Sequence, residues 1–213
     1  MIYMLTYFVV LTIVIFIIDI LQKRVFTSKQ WGRTATHIIT GLIVATFPFY
    51  LNVNQIIGLS FIFTVILAIS KAKNILSLHN IVRKSYGEVL FPVSIGLVAI
   101  ITLPAHSNAY YAAILSLALA DAGANIFGSF LPIKRVTIAR QSKSIGGFIC
   151  FIILMMAILF ALYGLNEVNF GIILAIAIFI GFVELISVYG YDNLTVPVFT
   201  ALLSTFVEIN FQV

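Results

Sequence analysis

Three acids stand where an otherwise apolar sequence gives no local reason for them. Asp121 interrupts the apolar run 109–130, Glu184 the run 169–188, and Asp192 follows in the polar stretch YGYDNLTVP. Asp121 is about nine residues from the end of its run, roughly 13 Å deep at the helical rise. An ionised carboxylate at the centre of a bilayer costs about 2.5–3.5 kcal/mol on insertion scales. Carboxylate oxygens are the ligands magnesium takes, usually alongside substrate phosphates. Asp121, Glu184 and Asp192 are therefore candidate ligands for Mg2+ or another divalent cation, with Asp121 and Asp192 also candidate catalytic carboxylates. The context LADAGANIFGSF sets Asp121, Asn125 and Gly128 at i, i+4 and i+7 on one helical face, which adds Asn125 to the ligand set. Gly128 would allow close backbone approach. The plainer alternatives are that Asp121 only hydrogen-bonds a neighbouring helix and that Asp192 and Asn193 cap the last helix.

The segment PIKRVTIARQSKSIGG supplies the opposite charge. Lys143, Ser144, Gly146 and Gly147 come immediately before an apolar helix, where glycine amides, the helix dipole and an ammonium together suit a phosphate. The order is not that of a P-loop. Arg140 is a further candidate phosphate ligand from the same segment. Arg33 and His37 are spaced i, i+4 where the second helix begins, and Glu88 opens the fourth after Arg83, Lys84 and Gly87. His79 and His106 are read as structural, and Asp19 as the i, i+4 partner of Lys23.

The elements that must position these residues follow from composition. Of 213 residues, 62% are hydrophobic and 9% charged, with a net charge of +5. An ordinary soluble domain carries roughly 25% charged residues, so this chain cannot clothe a water-soluble globule. The expected fold is all-α, a polytopic integral-membrane bundle of seven or eight helices forming a single domain over 1–213. Apolar runs at 2–21, 36–51, 55–70, 88–104, 109–130, 146–164, 169–188 and 194–211 are the candidate spans, with 52–55 a tight turn between the second and third. The N-terminal run lacks a basic leader and a small-residue cleavage motif, so it reads as a retained helix. Cys150, the single cysteine, lies inside an apolar run and reads as a core residue.

Charge is sorted by side. All twelve bases fall in the first, third and fifth loops, which the positive-inside rule places in the cytoplasm. Asp19, Glu88, Asp121, Glu184 and Asp192 lie toward the same side, while Glu167 and Glu208 face outward. Bases sorted in this way serve topology and contact with anionic membrane lipids, which argues against a nucleic-acid partner.

The ordered motifs GRTATHIITG, RKSYGEVLFP, LADAGANIFGSFLPIKRVTIARQSKSIGG and VELISVYGYDNLTVPV resemble the polyprenol kinase family, especially its phytol and farnesol kinase branch, with dolichol kinase more distant. The similarity covers about 33–197, and the DNLTVP segment and the Asp-then-KSxxG spacing are its most specific parts. The resemblance implies a membrane enzyme that phosphorylates an isoprenoid alcohol, commonly with CTP as donor and a divalent metal. It carries the acidic helix motif onto Asp121, Asn125 and Gly128, and the basic phosphate motif onto Lys143, Ser144 and Gly147. The late acidic pair falls on Glu184 and on Asp192 with Asn193, the early motif on Arg33 and His37. The chain departs from the family at Ala120 (often Gly), Asn125 (often an acid) and Ser129 (often a base).

The expected chemistry is phosphoryl transfer from CTP or another nucleoside triphosphate to an isoprenoid alcohol. The expected setting is the cell membrane, with the site facing the cytoplasm and room left for a homo-oligomer. Lys143 and Arg33 or Arg140 would stabilise the transferring group. Two other readings stay open: cytidylyl transfer to a lipid phosphate, as in phosphatidate cytidylyltransferase, and a small transporter, which buried acids also mark.

Overall fold

The computed structural model describes residues 1–24, 29–76, 85–131, 133–138, 141–164 and 167–211. It is helical apart from one short hairpin. The helices are α1 (Ile2–Arg24), α2 (Lys29–Ala45), α3 (Val53–Ala72), α4 (Gly87–Thr102), α5 (Ser107–Leu115), α6 (Ala122–Phe130), α7 (Ile145–Tyr163), α8 (Glu167–Ile186) and α9 (Asp192–Phe211). A π-helical segment, Ser116–Asp121, joins α5 to α6, so the three pieces run on as one rod, Ser107–Phe130. Each apolar run of the sequence falls on one of these rods. Among the described residues, four of them are long and apolar enough to cross a membrane: α1, α3, Ser107–Phe130 and α7.

The short linkers are explained by capping chemistry. Residues 52–55 are a capping box rather than a separate turn: the Asn52 side chain accepts from the Gln55 amide and the Gln55 side chain accepts from the Asn52 amide, both at 3.0 Å. The second helix begins earlier than its apolar run, at Lys29, and ends at Ala45 in the single 3-10 turn Phe47–Phe49. Asp19 meets Lys23 at 2.7 Å, the ordinary helical pair.

The all-α expectation misses one element. Strands β1 (Arg135–Ile138) and β2 (Gln141–Ser144) pair antiparallel, with Arg135 opposite Ser144 and Val136 opposite Lys143. The β-branched run Val136, Thr137, Ile138 is the local reason, but four residues are too few for a strand period to stand out beside long apolar helices.

Two apolar clusters hold the rods together. One, around Phe151, Met155, Leu159 and Ile180, gathers α5 to α9. The other, around Val44, Ile56, Leu59, Val98 and Tyr110, gathers α1 to α5 with α9. Apolar side chains on the outer surface remain uncovered, Phe16 at 62% and Phe61 at 68% exposure among them, which for a chain of this composition is the surface lipid would cover. At the end remote from the acids, Glu208 accepts from the Ala109 amide (2.7 Å) and the Tyr163 hydroxyl (2.9 Å) and contacts His106 Nδ1 at 3.0 Å. The structural reading of His106 is thus given a partner. His79 lies outside the described residues.

Candidate active site

Asp121 is the last residue of the π segment, and π turns recur at functional sites because one wider turn re-aims a side chain. Gly41 of α2 lies against Ala118 of this segment, where an added Cβ would stand 2.5 Å from the Ala118 Cβ. Small residues on both helices let the backbones close in, and α2 is thereby drawn beside the acid. Asp121 is 5% exposed. Asn125, one helical turn on, donates to the Asp121 carbonyl (2.9 Å) and to its Oδ2 (3.2 Å). Asp121 Oδ1 is buried with no hydrogen-bond partner, and a buried acceptor in that state costs free energy until a donor or a cation meets it.

Glu184 and Asp192 complete the acidic group. Ligand oxygens from Asp121, Glu184 and Asp192 all lie within 4.8 Å of one another, a hard oxygen set of the type a divalent cation accepts. The α8–α9 connection that presents Asp192 is shaped by two left-handed residues, Tyr189 at φ 57° and Gly190 at φ 84°. Gly190 packs so closely on the Gly87 backbone that a side chain there would collide with it. The Tyr86 amide donates to the Tyr189 carbonyl at 2.7 Å, which fixes this turn to the start of α4.

Lys143 reaches the acids from β2. Its Nζ stands 2.6 Å from Glu184 Oε1 and 3.6 Å from Asp192 Oδ2, and it also bonds the Glu184 carbonyl. Burial pulls the Lys143 ammonium down, but Glu184, Asp192 and Asp121 together outweigh it and its pKa stands above the ordinary lysine value. Ser144 accepts from the Gly147 amide at 2.9 Å and so caps α7.

The Gly147 amide is already engaged by the Ser144 cap, and an added Cβ at Gly147 would fall 2.8 Å from the Ala124 carbonyl and 3.4 Å from the Gly128 Cα. At Gly146 a Cβ would fall 2.7 Å from the Leu131 carbonyl. Gly128, Gly146 and Gly147 are therefore close-packing positions for α6, its C-terminal end and α7, and Gly147 offers no free amide for a phosphate. Among these residues the anion-binding charge is that of Lys143.

Arg33 and His37 lie on the same face of α2 and reach the site from the other side. Arg33 Nη1 donates to Ser85 Oγ at 2.8 Å. His37, 7% exposed, meets Asn193 Nδ2 through Nε2 at 3.3 Å and packs edge-on against Phe91. With the Asn193 amide as donor, Nε2 is the acceptor of this contact. Nδ1 is buried and has no partner. Asn193 is 1% exposed, and its backbone amide donates to Asp192 Oδ1 at 3.0 Å. Its side chain therefore ties α9 to α2 rather than capping α9.

These groups line one polar pocket of about 610 Å³. Arg33, His37, Asp121, Asn125, Gly128, Lys143, Ser144, Gly147, Glu184, Asp192 and Asn193 are all in its wall. Gly146 is not part of that lining. Glu88 instead pairs with Lys71 at 3.1 Å and faces a second, apolar cavity. Arg140 lies outside the described residues. Sequence reasoning missed Arg135 and Ser142, which also line the pocket. The signal for them was the short β-branched run, since a hairpin there turns both strands toward the acids.

Fold and site together define a helical protein with an apolar exterior and a buried acid–base pocket at one end. Comparison with protein-family models, with curated proteins and with solved structures finds no match for this chain.

Proposed function

We propose that the protein is a multi-pass membrane kinase that transfers a phosphoryl group from CTP, or another nucleoside triphosphate, to an isoprenoid alcohol. The observation that carries this reading is that the polar pocket and an apolar cavity meet at two residues. Arg33 and His37 line both. A charged compartment beside an apolar one, with Arg33 and His37 in both walls, suits a lipid whose polar end must meet a phosphate donor. The motif resemblance points to the same chemistry.

In this reading all eight rods cross the cell membrane, and the end bearing Lys23, Arg33, Lys71, Lys134 and Arg135 faces the cytoplasm, where the nucleotide arrives. Phosphoryl transfer asks a protein mostly for positioning and charge stabilisation. Asp121, Asn125, Glu184 and Asp192 would hold Mg2+; the orphaned Asp121 Oδ1 and the close oxygens fit such an ion. When bound, the metal neutralises charge on the donor phosphates. Lys143 and Arg33 stabilise the oxygens of the transferring group from opposite sides of the pocket. The alcohol oxygen forms its bond to the γ-phosphorus as the bridging bond to the β-phosphate breaks, and the hydroxyl proton passes to Asp121 or Asp192. The nucleoside diphosphate then leaves the pocket. The test is incubation of purified protein with a prenol, Mg2+ and CTP labelled at the γ-phosphate. Labelled lipid phosphate is the expected product, and its absence with every nucleoside triphosphate removes the reading.

A further inference from the structure

Lys143 is held among the acids much as a cation would be. Its Nζ donates to Glu184 Oε1 at 2.6 Å and to the Glu184 carbonyl, and it pairs with Asp192 Oδ2 at 3.6 Å. An ammonium has three N–H donors and no acceptor, so three oxygens from two residues engage it. Asp121 is left out of this set. Its Oδ2 accepts from Asn125 at 3.2 Å, while Oδ1 has no hydrogen-bond partner although the residue is only 5% exposed and lines the pocket. Carboxylate oxygens of all three acids nevertheless lie within 4.8 Å of one another. One tethered positive charge thus serves Glu184 and Asp192, and a cation that could draw on all three acids has to share two of them with it.

Sharing is unfavourable. Magnesium sits about 2.0–2.1 Å from its oxygens, so an ion bound to Glu184 Oε1 would stand within about 4.7 Å of the ammonium, given the 2.6 Å from Nζ to that oxygen. Two positive charges at such a separation repel, and burial weakens the screening. From these contacts we infer that Lys143 is a tethered counter-ion that competes with the divalent cation for Glu184 and Asp192, and that it turns from them to a phosphate when the cation binds. Metal and phosphate are thereby coupled. The metal takes the carboxylates from the lysine, and the phosphate gives the lysine new acceptors in the same pocket. By linkage, phosphate strengthens metal binding by the factor by which metal strengthens phosphate binding. The phosphate belongs to the donor of the proposed kinase reading, whereas the rivalry between Lys143 and a cation stands on the contacts alone.

The experiment titrates Mn2+ into the purified full chain in detergent micelles, without nucleotide or lipid, and follows binding by electron paramagnetic resonance. Lys143→Met should bind Mn2+ roughly tenfold or more tightly than wild type, a factor within the usual range for two coupled sites. Asp121→Asn added to that variant should abolish the gain. Inorganic phosphate should tighten Mn2+ binding to wild type by a larger factor than to Lys143→Met. If Lys143→Met does not fold, acetylation of the wild-type lysines, mapped by mass spectrometry, decides: saturating Mn2+ should speed modification of Lys143 relative to the exposed Lys134. Equal Mn2+ affinities, a gain that survives Asp121→Asn, an equal effect of phosphate on both proteins, or Lys143 acetylation unmoved by Mn2+ overturns the rivalry. Rivalry without phosphoryl transfer leaves this role of Lys143 standing and removes the kinase; transfer by wild type with equal Mn2+ affinities does the reverse.

Discussion

Lys143 Nζ lies 2.6 Å from Glu184 Oε1, so a strand of the hairpin and the end of α8 are clamped by one ion pair at the wall of the polar pocket. The side chains are 20% and 6% exposed, which makes the pair nearly buried. Removing one partner of a buried pair costs about 3–5 kcal/mol, because the other charge is left without compensation. Lys143→Met should therefore lower the melting temperature in detergent markedly, while Lys143→Arg retains most of the stability. Equal melting temperatures for wild type and Lys143→Met would show that the pair contributes nothing.

The same ammonium sets a pH signature. Its pKa is higher in the folded protein than the ordinary value of 10.5. Its contribution is therefore fully present below that value and lost as pH rises through the folded value. The gap in melting temperature between wild type and Lys143→Met should stay constant across the neutral range and close only above about 10.5. A gap that closes near neutrality would mean that Lys143 is not held by the acids.

Glycines on α7 and α8 should respond oppositely to alanine. A Cβ at Gly147 would meet the Ala124 carbonyl at 2.8 Å, a backbone atom that cannot swing aside, whereas nothing lies within 4 Å of one at Gly171. Gly147→Ala should destabilise by about 1–3 kcal/mol through overpacking, and Gly171→Ala should be neutral or stabilising by up to about 1 kcal/mol through helix propensity. Chemical or thermal unfolding of both variants checks the contrast. A neutral Gly147→Ala would show that the contact between α6 and α7 tolerates a side chain there.

The helices were legible in the sequence because long apolar runs leave little choice of secondary structure, and Asp121 stood out because so few charges surround it. Spacing also placed Asn125 on the Asp121 face, where it donates to that carboxylate at 3.2 Å. Three things were not legible. The β-branched run was too short to announce the hairpin that carries Lys143. Gly146 and Gly147 suit either an anion or close packing by composition alone, and only the facing carbonyls of Leu131 and Ala124 decide between them. The contact of His37 with Asn193 joins residues 156 positions apart and has no local trace.

The central claim is that the acids around Asp121 serve transfer of a γ-phosphate to a lipid alcohol. The most direct measurement gives the protein a prenol, Mg2+ and CTP carrying distinguishable labels on its α- and γ-phosphates, with Asp121→Asn as the paired variant. The account predicts γ label and no α label in the lipid extract, and a loss of roughly 10²–10³-fold in the variant, the size expected when one preorganised electrostatic contact is removed. Lipid carrying the α label, or γ transfer untouched by Asp121→Asn, would contradict it.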